Sequence, residues 1–526
     1  MELSRRSFLV GTAATSAGLW ALRDAHAKVT PPEATSAGDE ALVAVGLEAA
    51  KKAGASYADV RIERIRQQSL ASRDDYVLGA EESESAGAGV RVLVDGVWGF
   101  SATHSLDAVT VARAAKRAVQ LARANRKIVS KKVELSPLIA ATGSWTSPHT
   151  IDPFAISVKD KAELLIAAGK AALSVEKGAN RKLIVYGRIL FVRQQKLFGS
   201  TDGTLLRQVF LRGQPNITVD AIDSKSGAFE HADSDSQIPA QQIGWEVTQR
   251  HNLTEVARVV AERALRRLGA QPVDDGRYDL IIDPSNLWLT IHESVGHPTE
   301  FDRILGYEAN FAGTSFVRPI DIGQLRYGSE LVNLVADRTQ PGALGSCGWD
   351  DDGTPADKWD LVRDGTLVGV QTTREQPAWQ KGILPHAGSY AQSWADVPFQ
   401  RMPNVSLEPG KQPLAPEQLV ADTKRGIFVE GDGSWSIDHQ RYNFQFTAQA
   451  FTLIENGKLT RPIGKIAYQS NSLEFWRSCD AICDQRNYKI GGALHDGKGE
   501  PMQSNPVSHG CATARFRNVN VVKVGA

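Results

Sequence analysis

The sequence predicts an α+β protein with antiparallel sheets. Two observations predict it. Asp-Gly or Asn-Gly pairs stand between apolar runs at Asp95-Gly96, Asp202-Gly203, Asp364-Gly365 and Asn456-Gly457, the composition of tight turns between strands. Helical apolar spacing recurs in only a few separated segments, most of them in the first half of the chain.

Residues 28–38 form a polar lead-in rich in Pro, Ser and Thr. A helix is expected from Asp39, with Leu42, Val45 and Ala49 on one face and Gly54 past its end. "GVRVLVDGVWGF" then alternates Val90, Val92 and Val94 as a strand does before turning at Asp95-Gly96. A second helix runs from about Leu106 to Ala124. The Ser/Thr/Pro-rich stretch 142–153 looks like a linker. Beyond it come a helix near 158–175, a β-rich segment and a helix from Thr254 to Leu268 that ends at Gly269. "GAQPVDDG" (269–276) marks the next boundary, and the remainder is mostly strand and turn. The breaks give an N-terminal α+β domain over 39–145, a central α+β domain over 146–272 and a β-rich C-terminal domain over 273–526.

The first 27 residues do not belong to this fold. "SRRSFLV" places Arg5 and Arg6 ahead of a modest apolar run, and Ala25-His26-Ala27 has the form of a cleavage site. This is the pattern of a twin-arginine export signal. The run is too short and too rich in Gly, Ala and Ser to span a bilayer. No stable membrane span is expected after cleavage, and the expected location is periplasmic or otherwise extracytoplasmic.

Composition excludes other classes. The 526 residues carry 60 basic and 60 acidic side chains with no basic stripe, so no nucleic-acid partner is expected. Four cysteines, Cys347, Cys479, Cys483 and Cys511, are too few for a disulfide scaffold. Cys479 and Cys483 would share a face if helical and read as packed thiols or a bridge.

The chemistry concentrates in "RYDLIIDPSNLWLTIHESVGHPTEFD". Leu280–Ile282 reads as a strand, Asp283 as an N-cap and Pro284 as the first helical residue. His292, Glu293 and His297 follow, a trio familiar from zinc peptidases except that the histidines are five residues apart instead of four. Five residues turn a regular helix by roughly 140° past a full turn, so the two imidazoles would not meet one ion. A π-bulge would bring them together. Alternatively the helix ends at Gly296 and His297 swings back from the first loop residue, which Gly296 and Pro298 favour. Two neutral imidazoles, a third protein ligand and a water would complete a zinc site, with Glu293 taking a proton from that water. Taken alone, a pair at this spacing is more often two ordinary histidines.

The surroundings add to that reading. "HESVGHPTEFD" resembles the His-Glu-x-x-x-His signature of the TldD/PmbA family of metallopeptidases. "GSELVNLVADRTQPGALGSCGWDDDGTPADKWDLVRDGTLVGV", "RMPNVSLEPG" and "FQFTAQAFTLIENGKLTRPI" are similar to later segments of that family. "YADVRIERIRQQSL" and "AGVRVLVDGVWGFSAT" resemble its first domain. The resemblance covers about residues 40–526 and implies a three-domain architecture with a C-terminal metallopeptidase domain. It also implies the motif-bearing, TldD type of subunit, zinc-dependent cleavage of peptides or unfolded polypeptides, and a homodimer or a heterodimer with a related subunit. By resemblance His292 and His297 are ligands and Glu293 is the base. The family's third ligand is a Cys in a Cys-Gly-Lys segment, and here the matching "HDGKGEP" carries Asp496. Asp496 and Cys511 are the candidates, with Cys511 favoured because thiolate suits zinc. His495 and His509 are weaker ones. A non-catalytic peptide-binding or partner subunit with a degenerate metal site is the alternative function.

Two further patterns carry less. Gly492–Lys498 has the glycine and lysine spacing of a phosphate loop but lacks the Ser or Thr and the helix it needs, and reads as a turn. "DDDG" at 350–353 fails the ligand pattern of a calcium loop and reads as a surface hairpin cap.

Overall fold

A computed structural model of the chain describes residues 37–235 and 237–524. The expected signal, residues 1–27, and most of the lead-in lie outside the described residues. Among the described residues no helix is long and apolar enough to cross a membrane.

The first half is organised by one seven-stranded sheet. Its path runs through Val97–Thr103, Tyr76–Val94, Tyr57–Arg73, Arg181–Ser200, Leu205–Asp223 and Thr142–Thr146, with Phe229–Asp233 also paired to Leu205–Asp223. All neighbours are antiparallel except Thr142–Thr146, which runs parallel to Leu205–Asp223. The strands are long, and Arg181–Ser200 alone has 20 residues. Each end of the sheet therefore covers its own helix pair. Helices Ala37–Lys52 and Ala108–Asn125 pack on Val60, Ile62, Val90 and Val92. Helices Val158–Leu173 and Leu253–Gly269 pack on Leu183, Phe191, Ile217 and Val219. Of the expected face of the first helix, Ala49 is buried and Leu42 and Val45 are partly so, while Val43 and Ala50 beside it are also buried. At its start Asp39 is buried in a two-pronged ion pair with Arg64 at 2.7 and 2.9 Å.

The second half holds a separate core around another seven-stranded sheet. Arg425–Ile437, Gly276–Ile282, Ala514–Lys523, Ile466–Asn471 and Asn443–Glu455 pair in that order. Arg425–Ile437 also pairs with Asn443–Glu455, which closes these five strands on themselves. Closure removes the exposed edges that antiparallel sheets otherwise carry. Three of the four expected turns have both central residues left-handed, as a type I′ hairpin requires: Asp95-Gly96, Asp364-Gly365 and Asn456-Gly457, with φ between 46° and 79°.

Two readings of the sequence are corrected here, and the choice left open for Cys479 and Cys483 is narrowed. Cys479 opens the strand Cys479–Ile482 and pairs with Phe516 across the sheet, so the two cysteines do not share a helical face. All four cysteines are free and buried. Gly492–Lys498 is strand, not turn, since it lies within Lys489–Lys498 and pairs with Gln503–Cys511. The aspartates at 350–352 do not cap a surface hairpin. They are buried where the two halves meet, Asp351 against Lys196 at 2.8 Å and Asp352 against Arg91 at 2.6 Å. Arg91 also binds Asp59 at 2.9 Å, so charges of both signs alternate across the contact.

Candidate metal centre

The strand Gly276–Ile282 leads directly into the helix Pro284–Ile291. Asp283 caps it, accepting from the Ser285 N–H at 3.0 Å, and Pro284 fills the first turn where no N–H is needed. Every residue from Pro284 to Ile291 is buried, so the helix is held on all sides.

At His292 the helix widens. Residues His292–Gly296 form a π-helical turn in which the His297 N–H reaches the His292 carbonyl, five residues back. His297 keeps helical angles, φ −62° and ψ −44°, and starts a 3-10 turn over His297–Thr299. The π-bulge, not a swing from the loop, thus accounts for the five-residue spacing. Pro298 does not break the path because it sits in the first turn of the new segment. A bulge leaves carbonyls poorly matched, and side chains take them up. Tyr327 donates to the Ser294 carbonyl, Gln371 to that of Gly296, and Thr299 to that of Val295. A Cβ at Gly296 would lie 2.5 Å from the Met402 sulfur, so a larger residue there would have to displace that buried side chain.

The result is a compact donor set. His292, Glu293 and His297 lie with ligand atoms all within 4.8 Å of one another, each no more than 7% exposed. The imidazole rings meet edge to face with centroids 4.5 Å apart. Asp496 completes the group from the Lys489–Lys498 strand. Its Oδ1 is 3.6 Å from His292 Nε2 and 3.8 Å from His297 Nε2.

Hydrogen bonds behind the rings orient both Nε2 lone pairs toward this point. His509 Nδ1 is 2.7 Å from the Val405 carbonyl, which only accepts, so that nitrogen carries the proton. His509 Nε2 is therefore an acceptor, and His292 Nδ1–H donates to it at 2.8 Å. His297 Nδ1–H donates to Glu300 at 3.0 Å. Burial, aided by the charge of His292, holds the His509 pKa well down, consistent with that neutral tautomer. Burial and the nearby Arg303 take His297 down to about 4. Burial opposes a charge on His292, but Asp496 outweighs it and raises the pKa. Burial likewise opposes the charge on Asp496, and His292, His297 and Arg401 outweigh it and lower the pKa.

A tetrahedral zinc ion about 2.0–2.1 Å from its nitrogen and oxygen donors separates neighbouring donors by roughly 3.3 Å. The separations of 3.6 and 3.8 Å from Asp496 to the two imidazoles are close to this. Two oriented imidazoles and an ionised carboxylate are also the right donor chemistry. The residues present therefore fit zinc.

Cys511, favoured from sequence as the third ligand, is not brought to this point. Its Sγ lies 3.9 Å from the Pro284 carbonyl, at the other end of the helix. Eight residues, about 12 Å of helix, separate Pro284 from His292, and Trp288 stacks on His509 in between. Burial, aided by Asp283, keeps the thiol pKa well above its usual value. His495 is also elsewhere, with Nδ1 3.1 Å from Ser504 Oγ.

Several groups around the site were not assigned from sequence. Arg401, within the quoted "RMPNVSLEPG", donates to both the carbonyl and the carboxylate of Asp496. Glu300 binds His297, Arg303 at 3.0 Å and Lys498 at 2.9 Å, and Lys498 also binds Asp302 at 2.9 Å. Arg441 binds Glu293 at 2.6 Å. Glu300 stands three residues after His297, a spacing that could have marked it as a partner on the same helical face. Arg441, nearly 150 positions from Glu293, left no such signal.

Comparison with known proteins bears on the family and the fold. Models of three domains match in order: PmbA/TldA metallopeptidase domain 1 over residues 58–123, the central domain over 151–268 and the C-terminal domain over 275–523. A metalloprotease of Methanothermobacter thermautotrophicus is 27% identical over 465 residues, covering 88% of this chain and 95% of that protein. A zinc metalloprotease TldD homolog of Saccharolobus solfataricus is 22% identical over 486 residues, 90% of this chain and 98% of its own. In fold, the chain is similar to the crystal structure of TldE from Thermococcus kodakarensis, with a TM-score of 0.69 at 16% identity, covering 93% and 100% of the two chains.

Proposed function

The chain belongs to the PmbA/TldA metallopeptidase family, and we propose that it is itself a zinc-dependent peptidase of the TldD type acting on peptides or unfolded polypeptides. One observation carries the proposal: two imidazole nitrogens and the Asp496 carboxylate converge on one point beside Glu293. His292, His297 and Asp496 hold the ion, and His509, Glu300 and Arg401 orient these ligands from behind. Zinc bound there supplies Lewis acidity and makes a water molecule easier to deprotonate at neutral pH. Glu293 accepts the proton as the water attacks the peptide carbonyl carbon. It then delivers the proton to the departing amine nitrogen. Burial of Glu293 and both histidines excludes bulk water from this exchange.

The alternative, a peptide-binding subunit with a degenerate metal site, requires a missing ligand. The fit of Asp496 in place of the family's Cys argues against it. Glu293→Gln is the test. It is expected to lower peptide cleavage by about 10²- to 10⁴-fold while zinc content by metal analysis stays at the wild-type level. Equal activity in wild type and Glu293→Gln would remove the peptidase reading.

The proposal extends to pairing with a second copy or a related subunit and to export by the twin-arginine route, which rests on Arg5, Arg6 and the cleavage pattern at Ala25-His26-Ala27. A folded reporter fused to residues 1–40 is expected to leave the cytoplasm only with Arg5 and Arg6 intact. Undiminished export of the double Arg→Lys fusion would refute that route.

A further inference from the structure

Four cations surround the metal centre, and three are committed. Arg401 binds Asp496, while Arg303 and Lys498 bind Glu300 behind His297. Arg441 alone among these touches the base, with Nη1 2.6 Å from Glu293 Oε2. Its Nη2 donates to the Ala312 carbonyl at 3.0 Å, and its Nε is buried without a hydrogen-bond partner. The guanidinium thus keeps one donor without a protein partner, as Arg401 also does at its Nε.

The backbone beneath it is held in a costly conformation. Arg441 has φ +61°, the left-handed region that Asn, Asp and Gly enter more easily than Arg. Contacts from several segments keep it there. The Arg441 N–H donates to the Asp438 carbonyl at 2.9 Å, and Ser472 Oγ donates to the Arg441 carbonyl at 2.9 Å. Thr314 and Phe316 donate to the carbonyls of His439 and Gln440 at 2.7 and 2.8 Å. Backbone strain fixed from several sides is typical of functional positions.

We propose that Arg441 is a catalytic residue that stabilises the negative charge arising on the substrate carbonyl oxygen. The inference rests on the peptidase reading and deepens it. In the attack, the water oxygen bonds to the carbonyl carbon, the C=O π pair moves onto the carbonyl oxygen, and the water proton passes to Glu293. Glu293 loses its charge at the moment the substrate oxygen gains one. Arg441 loses an ionic partner and acquires another within reach, since the reacting carbonyl must lie about 3–3.5 Å from the water that Glu293 activates. When the intermediate collapses, the electron pair returns to re-form C=O and the C–N bond breaks. The proton on Glu293 goes to the leaving nitrogen, and the Arg441–Glu293 pair is restored. Site charge stays constant, which a buried, low-dielectric site favours.

The test compares wild type, Arg441→Ala and Arg441→Lys as zinc-loaded full-length protein. Arg441→Ala is expected to lower kcat by about 10²- to 10³-fold with little change in KM, and Arg441→Lys by less. A phosphinic peptide that mimics the tetrahedral species should bind Arg441→Ala more weakly by a similar factor in calorimetry, with zinc content unchanged. Millimolar guanidinium should restore part of the activity of Arg441→Ala. Unchanged phosphinic-peptide affinity, or a loss confined to KM, overturns the inference and leaves the peptidase reading standing. A zinc-loaded wild type that cleaves no peptide overturns both.

Discussion

Asp496→Ala is expected to leave the protein with almost no bound zinc, whereas Cys511→Ser keeps wild-type occupancy. The reason is distance. The Asp496 carboxylate faces both imidazoles, while the Cys511 thiol is at the far end of the helix against the Pro284 carbonyl. Losing a group that only orients a ligand weakens metal binding by about 10- to 100-fold, and losing a ligand itself should exceed the upper end of that range. Asp496→Asn separates charge from shape. The amide keeps its size and can still accept from Arg401, but it brings no negative charge to the ion. Its zinc affinity is expected to lie between the wild type and Asp496→Ala. Metal analysis after dialysis, followed by competition with a chromogenic chelator, ranks the variants. Full zinc occupancy in Asp496→Ala, or its loss in Cys511→Ser, would reverse the assignment. On the zinc-dependent mechanism proposed above, activity should follow occupancy across the three variants.

Lys498→Met is expected to destabilise the fold by about 3–5 kcal/mol, the usual result of removing one partner from a buried charge pair. Lys498, Glu300 and Asp302 are nearly or fully buried, and Lys498 binds both carboxylates at 2.9 Å. Methionine fills similar space without the charge. Burial would then drive Glu300 and Asp302 toward their protonated forms, and a protonated Glu300 holds His297 less firmly. Two measurements should move together: urea unfolding at neutral pH and zinc affinity of the folded protein. Adding Asp302→Asn should recover part of the stability by removing one stranded charge. A loss below about 1 kcal/mol, the range of exposed pairs, would show that the cluster is not the buried network described.

The local rules of the sequence carried well where they acted locally. Asp283 and Pro284 marked a helix start that the structure reproduces, and three of the four Asp-Gly and Asn-Gly pairs marked turns with both central residues left-handed. Readings failed where distant segments decide. Gly492–Lys498 contains two glycines and looks like a turn until Gln503–Cys511 pairs with it. The aspartates at 350–352 look solvated until Lys196 and Arg91 arrive from the other half of the chain. The third position at the metal centre is the clearest case. A preference for sulfur over oxygen follows from chemistry, but strand register puts Asp496 opposite Asn505 beside the histidines and Cys511 opposite Lys489 at the helix start. No property of either residue in the sequence encodes that register. The groups behind the ligands divide in the same way. Glu300 is three residues from His297 and was within reach of a spacing argument, whereas Arg441, between two strands of the closed sheet, and Arg401, just after Phe399–Gln400, meet their partners only through the tertiary fold.

The widened turn at His292–Gly296 bears on how such sites are recognised. A four-residue spacing on a regular helix carries the second histidine about 40° past a full turn. Here the fifth residue is absorbed by the bulge, and the two imidazoles still share one side. The two spacings thus differ by an inserted residue that alters the count but not the direction in which the side chains point. Deleting one position between Glu293 and Gly296 and restoring regular winding would yield the shorter motif with its donors aimed the same way. Letters counted along a chain separate the two spacings; angles measured around the axis bring them close together.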